Sequence, residues 1–84
     1  MKKPMTSNEL YHYHNGIPKR LKTLIRQSGM SQNRYAKSLG IYQQNISRYL
    51  QGQSPHAEFL IRLSEIQGIN LNWFLTGSGQ QHRS

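Results

Sequence analysis

Between Tyr42 and Gln51, helical spacing puts Gln43, Gln44, Asn45, Ser47 and Arg48 on one side of a short segment and Ile46, Tyr49 and Leu50 on the other. The polar side holds amides, a hydroxyl and a guanidinium, with no carboxylate among them. A primary amide offers a donor beside an acceptor, and a guanidinium offers a fork of donors. In the major groove of a DNA duplex those pairs match the edges of adenine and guanine. The same side chains are a poor start for catalysis. A nucleophile needs an activated Ser or Cys beside a base, and this chain has no cysteine while its serines fall at caps and turns. Glu58 and Glu65 are separated by about 10 Å of helix rise, and no glycine-rich phosphate loop is present. No enzyme activity, cofactor or small-molecule ligand is expected. His12 and His14 alternate within Tyr11-His12-Tyr13-His14, but two imidazoles with no Cys or acid beside them make a weak metal site, so no metal is expected either.

The charge balance points to a polyanionic partner. Lys and Arg number 11 against 3 acidic residues, and no acid lies between Glu9 and Glu58. Lys19, Arg20, Lys22, Arg26, Arg34, Lys37 and Arg48 all fall in that gap. An uninterrupted basic stretch is the electrostatic signature of a phosphate-backbone binder. At 84 residues the chain is one small domain, expected to bury about 60–65% of its unfolded surface. Its lack of cysteine fits a reducing cytoplasm, no apolar run approaches the roughly 20 residues of a membrane span, and the first ten residues lack the apolar centre of a signal peptide. The expected protein is soluble, cytoplasmic and not membrane-associated.

The elements that must position the polar rim follow from apolar spacing. Met1–Gly16 is polar, holds Pro4 and Gly16, and reads as a flexible N-terminal arm in which Lys2 and Lys3 can reach along a duplex. Pro18, with its fixed dihedral, suits the first turn of a helix running to about Gln27, with Ile17, Leu21, Leu24 and Ile25 inward. Ser31 caps a second helix with Tyr35, Ala36 and Leu39 inward, and Gly40 stops it in a left-handed conformation. Ile41 is then a buried plug before the rim-bearing helix, which closes at Gly52. Ser54 is expected to cap helix four, with Pro55 in its first turn and Phe59, Leu60, Leu63 and Ile66 as its core face. Gly68 ends it, Ile69 tucks back, and Asn70 caps a short fifth helix from Leu71 to Leu75. Trp73, Phe74 and Leu75 either complete the core or partly form a dimer patch. Ser78–Ser84 reads as a flexible tail, leaving 17–77 as the folded domain.

Gln32, Ala36, Gly40, Ile41 and Ile46 together resemble the helix-turn-helix of lambda-repressor/Cro-like DNA-binding domains. The run Asn72-Trp73-Phe74-Leu75-Thr76-Gly77 is similar to the ending of phage-type repressor domains, which extends the resemblance over 17–77. One position departs: Tyr42 stands where the family usually has Ser or Thr, so the start of the recognition helix lacks its usual cap. The resemblance implies an all-α, compact five-helix domain. It also implies that Gln43 and Gln44 read bases in the major groove with Asn45 and Arg48. Gln32 is implied at a phosphate, bracing Gln43 through an amide pair, with Arg34, Lys37, Tyr42, Ser47, Gln51 and Arg20 as backbone contacts. The implied partner is a pseudo-palindromic double-stranded operator bound by a homodimer, with half-sites about 34 Å apart, and the implied role is that of a phage or prophage repressor. An antitoxin that represses its own operon is an alternative, as is a protein-interaction module that uses the fold without DNA. The chain is either a Cro-like minimal repressor or the DNA-binding piece of a longer one.

Overall fold

The computed structural model describes the backbone of residues 7–83 and the side chains of residues 16–83, together with Pro4. Lys2 and Lys3 lie outside the described residues, as do the side chains of His12 and His14. The described chain is all-helical: α1 (Ser7–Ser28), α2 (Gln32–Leu39), α3 (Gln43–Leu50), α4 (Ala57–Gln67) and α5 (Leu71–Thr76). These are the five helices expected, although the starts of α1 and α4 move.

The largest change is in α1, which begins at Ser7, ten residues before the expected start, and carries Pro18 in its interior. Residues 7–16 are therefore helix rather than arm. The physical reason lies in the spacing: Leu10, His14, Ile17 and Leu21 recur every three to four positions, which is one helical stripe. Pro18 withholds one amide from the carbonyl four residues back, and the helix continues across that gap.

Local chemistry explains the other ends. Ser31 accepts from the Arg34 amide at 3.2 Å, as an N-cap should. Gly40 has φ +69°; its amide donates to Lys37 O at 3.0 Å, and the Ile41 amide reaches Ala36 O at 3.0 Å. These paired bonds form the closing motif that glycine permits at a helix end. A left-handed glycine also ends α4, with bonds one residue wider: Gly68 donates to Ser64 O and Ile69 to Leu63 O. Ile69 is then buried, while Ile41 is only half-buried against the core. Asn70 caps α5 by accepting from the Asn72 amide at 3.0 Å.

Helix α4 starts at Ala57 with His56 at its N-cap position and no side-chain cap. Ser54 and Pro55 thus belong to the preceding turn. The Tyr49 hydroxyl shapes that turn, lying 3.0 Å from His56 Nδ1. Ile66, expected in the core, is 55% exposed. Phe59 and Leu63 already bury the inner side of α4, and Gln67 takes the next inward turn by accepting from the Tyr35 hydroxyl.

The core is a single cluster built on Leu21, Tyr35, Leu39, Ile46, Tyr49, Phe59, Leu63 and Phe74. Three of its rings run in sequence, with centroids 4.8 Å apart for Tyr49–Phe59 and 6.1 Å for Phe59–Phe74. Phe74 is fully buried while Trp73 and Leu75 are half-buried against the core. Burial pushes the Tyr35 phenol up to about 12, with the Gln67 hydrogen bond opposing in the other direction.

The segment after Gly77, expected to trail away, is bonded back onto the domain. Asn70 N donates to Gln81 O at 2.9 Å and Arg83 N to Gly68 O at 2.7 Å, around an antiparallel bridge between Ile69 and His82. Arg83 also donates to Ser64 O and Glu65.

Candidate nucleic-acid interface

Helices α2 and α3 meet at the Gly40 turn, and the burial pattern of α3 fixes which of its side chains face outward. Ile46 and Tyr49 are buried and Leu50 is half-buried. At 3.6 residues per turn the opposite side carries Gln44, Arg48 and Gln51, with Ser47 and Gln43 toward one flank and Asn45 toward the other. Gln43, Gln44, Arg48 and Gln51 are exposed and Ser47 is half-buried. Asn45 does not share the rim. It is half-buried and lines a recess with Gly40, Ile41, Tyr42, His56 and Glu58, on the side that faces α4.

Tyr42 is 78% exposed and occupies the N-cap position of α3 without a side-chain bond to the first turn. The uncapped end of α3 therefore keeps its partial positive charge, which favours a nearby phosphate. On α2, Arg34 and Lys37 are exposed on the side opposite buried Tyr35, Ala36 and Leu39. Gln32 is exposed at the start of α2. Among the described residues no hydrogen bond joins it to Gln43, so the expected amide brace is absent. Instead, Gln32 lines a groove with Pro18, Lys19, Lys22, Ile25, Arg26 and Leu50.

That groove corrects the expectation for α1. Arg20, expected at a phosphate, turns to the other end of the domain. Its Nε donates to Phe74 O at 2.6 Å and its Nη2 to Leu75 O at 3.1 Å, closing the carbonyl end of α5. Partial burial there lowers its pKa from the ordinary arginine value. Lys19, Lys22 and Arg26, separated by three and four positions, form the outward basic stripe instead. No local signal distinguishes Arg20 from these three, because its partners are more than fifty positions away in the chain.

A second arginine, Arg62, holds the turn itself; its i,i+4 spacing from Glu58 is visible in the sequence, but its bond to α2 is not. Arg62 Nη1 donates to Leu39 O at 3.1 Å, and its Nε and Nη2 donate to Glu58 at 3.3 and 3.1 Å. The α4 helix thereby fastens the carbonyl end of α2 beside Gly40. A Cβ at Gly40 would come within 2.7 Å of Arg62 Nη1 and would also strain the left-handed backbone.

Both described carboxylates are thus occupied within the fold, Glu58 by Arg62 and Glu65 by Arg83. Lys19, Lys22, Arg26, Arg34, Lys37 and Arg48 have no carboxylate partner among the described residues. All six are exposed on α1, α2 and α3. No group of three or more His, Cys, Asp or Glu able to hold a metal occurs among the described residues. No described helix is long and apolar enough to cross a membrane.

A family model described as a helix-turn-helix domain matches residues 19–80. Among curated proteins, the chain is 30% identical over 64 residues to the HTH-type transcriptional regulator for conjugative element R391 of Providencia rettgeri and to its counterpart for element SXT of Vibrio cholerae. Each match covers 76% of this chain and 30% of the relative, so the chain spans under a third of those proteins' length. No solved structure matches the chain.

Proposed function

Because this chain belongs to the helix-turn-helix domain family, we propose that it is a cytoplasmic, sequence-specific regulator of transcription that binds double-stranded DNA through α3. In this reading Gln43, Gln44 and Arg48 enter the major groove and meet base edges. Gln32, Arg34, Lys37, Tyr42, Ser47 and Gln51 lie against the sugar-phosphate strands, and Lys19, Lys22 and Arg26 take the place expected of Arg20. Asn45, set back toward α4, supports the end of the helix rather than reading a base. The protein binds as a homodimer on a pseudo-palindromic operator whose half-sites lie one helical turn, about 34 Å, apart, and it acts by occluding a promoter. A repressor of a phage, prophage or conjugative element fits both the sequence resemblance and the names of the relatives.

One observation carries this reading: the six exposed cations without carboxylate partners are confined to α1–α3, where the exposed Gln43 and Gln44 also lie. Charges left unneutralised within the fold are available to displace counterions from DNA, and that exchange makes affinity fall with salt. Duplex binding measured from 50 to 200 mM salt should weaken by about 10³-fold or more if six phosphates are engaged. Affinity that stays flat over that range contradicts the proposal.

A further inference from the structure

Resting on the reading above, we infer the composition of the operator half-site. Gln43 and Gln44 face two adjacent A·T pairs, and Arg48 faces a G·C pair about two steps further toward the carboxyl end of α3.

The inference starts from which side chains the fold leaves available. Gln43, Gln44 and Arg48 are exposed on α3, while Asn45 is half-buried and lines the recess beside His56 and Glu58. Ser47 is short and half-buried. Donor and acceptor types then restrict the bases. A glutamine amide satisfies adenine with one donor and one acceptor, to N7 and from the N6 amino group. A guanidinium carries donors only and therefore seeks the two acceptors of guanine, O6 and N7. Helices α2 and α3 contain no carboxylate, so the rim has no anionic acceptor for the amino group of cytosine.

Helix rise sets the register. Gln44 and Arg48 are one turn apart, about 6 Å along the axis at 1.5 Å per residue. At about 3.4 Å per base pair, that distance covers roughly two steps. Gln43 and Gln44 differ by only about 1.5 Å in rise but by about 100° around α3, so their amides diverge and reach neighbouring pairs rather than one.

The test is selection of bound sequences from a random duplex pool by the intact chain, run in parallel with Arg48→Gln and Arg48→Ala. Arg48 is exposed and its side chain caps nothing in the fold, so both variants should keep the wild-type thermal midpoint. The expected wild-type consensus has two adjacent A·T positions and a G·C position about two steps away in each half. Arg48→Gln should convert the G·C column to A·T and leave the adjacent pair unchanged. Arg48→Ala should flatten that column and cost about tenfold on the wild-type consensus. A consensus that is G·C-rich at the adjacent pair, or one unchanged by Arg48→Gln, overturns the base assignment while leaving DNA recognition by α3 in place. A pool with no enrichment overturns both.

Discussion

Two sets of basic side chains divide the molecule. In one, Arg20, Arg62 and Arg83 are bonded back onto the fold: Arg20 onto the Phe74 and Leu75 carbonyls, Arg62 onto Leu39 O and Glu58, and Arg83 onto Ser64 and Glu65. In the other, Lys19, Lys22, Arg26, Arg34, Lys37 and Arg48 stand exposed on α1–α3. Residue type does not separate the sets, and Arg20 lies between Lys19 and Lys22 in the chain. What separates them is whether the carbonyl end of a helix lies within reach. The last carbonyls of a helix need donors from elsewhere, and an arginine fork supplies several at once. Once its donors are used that way, the side chain holds the fold and is not available to a partner.

The sharpest way to break this contrast is at Arg20. Arg20→Ala should lower folding stability by about 2–3 kcal/mol, because it leaves the α5 carbonyls without a charged donor. Denaturant unfolding checks this, and a change below 0.5 kcal/mol would show that Arg20 belongs with the exposed set. Gln44→Ala, on the other side of the divide, should leave stability alone and cost about 1–3 kcal/mol on the specific site. Equal losses on specific and random duplex, measured by mobility shift, would remove direct base reading from the account. Lys22→Ala or Arg26→Ala should change stability by no more than about 0.5 kcal/mol. Each should reduce the slope of log affinity against log salt by about one, which a salt titration of binding reads directly.

An effect that is silent at neutral pH concerns the core that both sets depend on. The Tyr35 phenol is held up at about 12 in the fold, against about 10 in an unfolded chain. Between those values the unfolded state has released its proton and the folded state has not, so stability is full below pH 10 and declines as pH rises toward 12. Thermal unfolding followed over that range should show the decline, and Tyr35→Phe should blunt it.

Sequence made the local parts of this molecule legible. Ser31 and Asn70 accept from amides, and Gly40 and Gly68 donate to carbonyls, all within four positions of themselves, so their types and spacing suffice to place the ends of α2, the end of α4 and the start of α5. The rim of α3 was legible for the same reason, since burial of Ile46 and Tyr49 determines where Gln44 and Arg48 point. Pro18 misled because a proline suited to a first turn stands inside a longer stripe that runs back to Leu10. His56 displaced Ser54 at the start of α4 through a bond to Tyr49, which is a contact between helices. Ile66 is turned outward by the packing of α4 against the rest, and Asn45 is half-buried beside it. The bonds of Arg20 to α5, of Arg62 to Leu39 O and of Asn70 to Gln80 O span 10 to 55 positions, and no periodicity encodes those.

The most direct measurement is the change in backbone amide resonances of the intact chain as a duplex carrying the selected consensus is added. The expected result is a set of shifts concentrated at residues 43–51, the start of α2 and the Lys19–Arg26 stripe, with α4 from Ala57 to Ile66 little changed. Shifts centred on the exposed side of α4, at Ile61 and Glu65, with α3 silent, would contradict the claim that the unneutralised face of α1–α3 is the one that meets DNA.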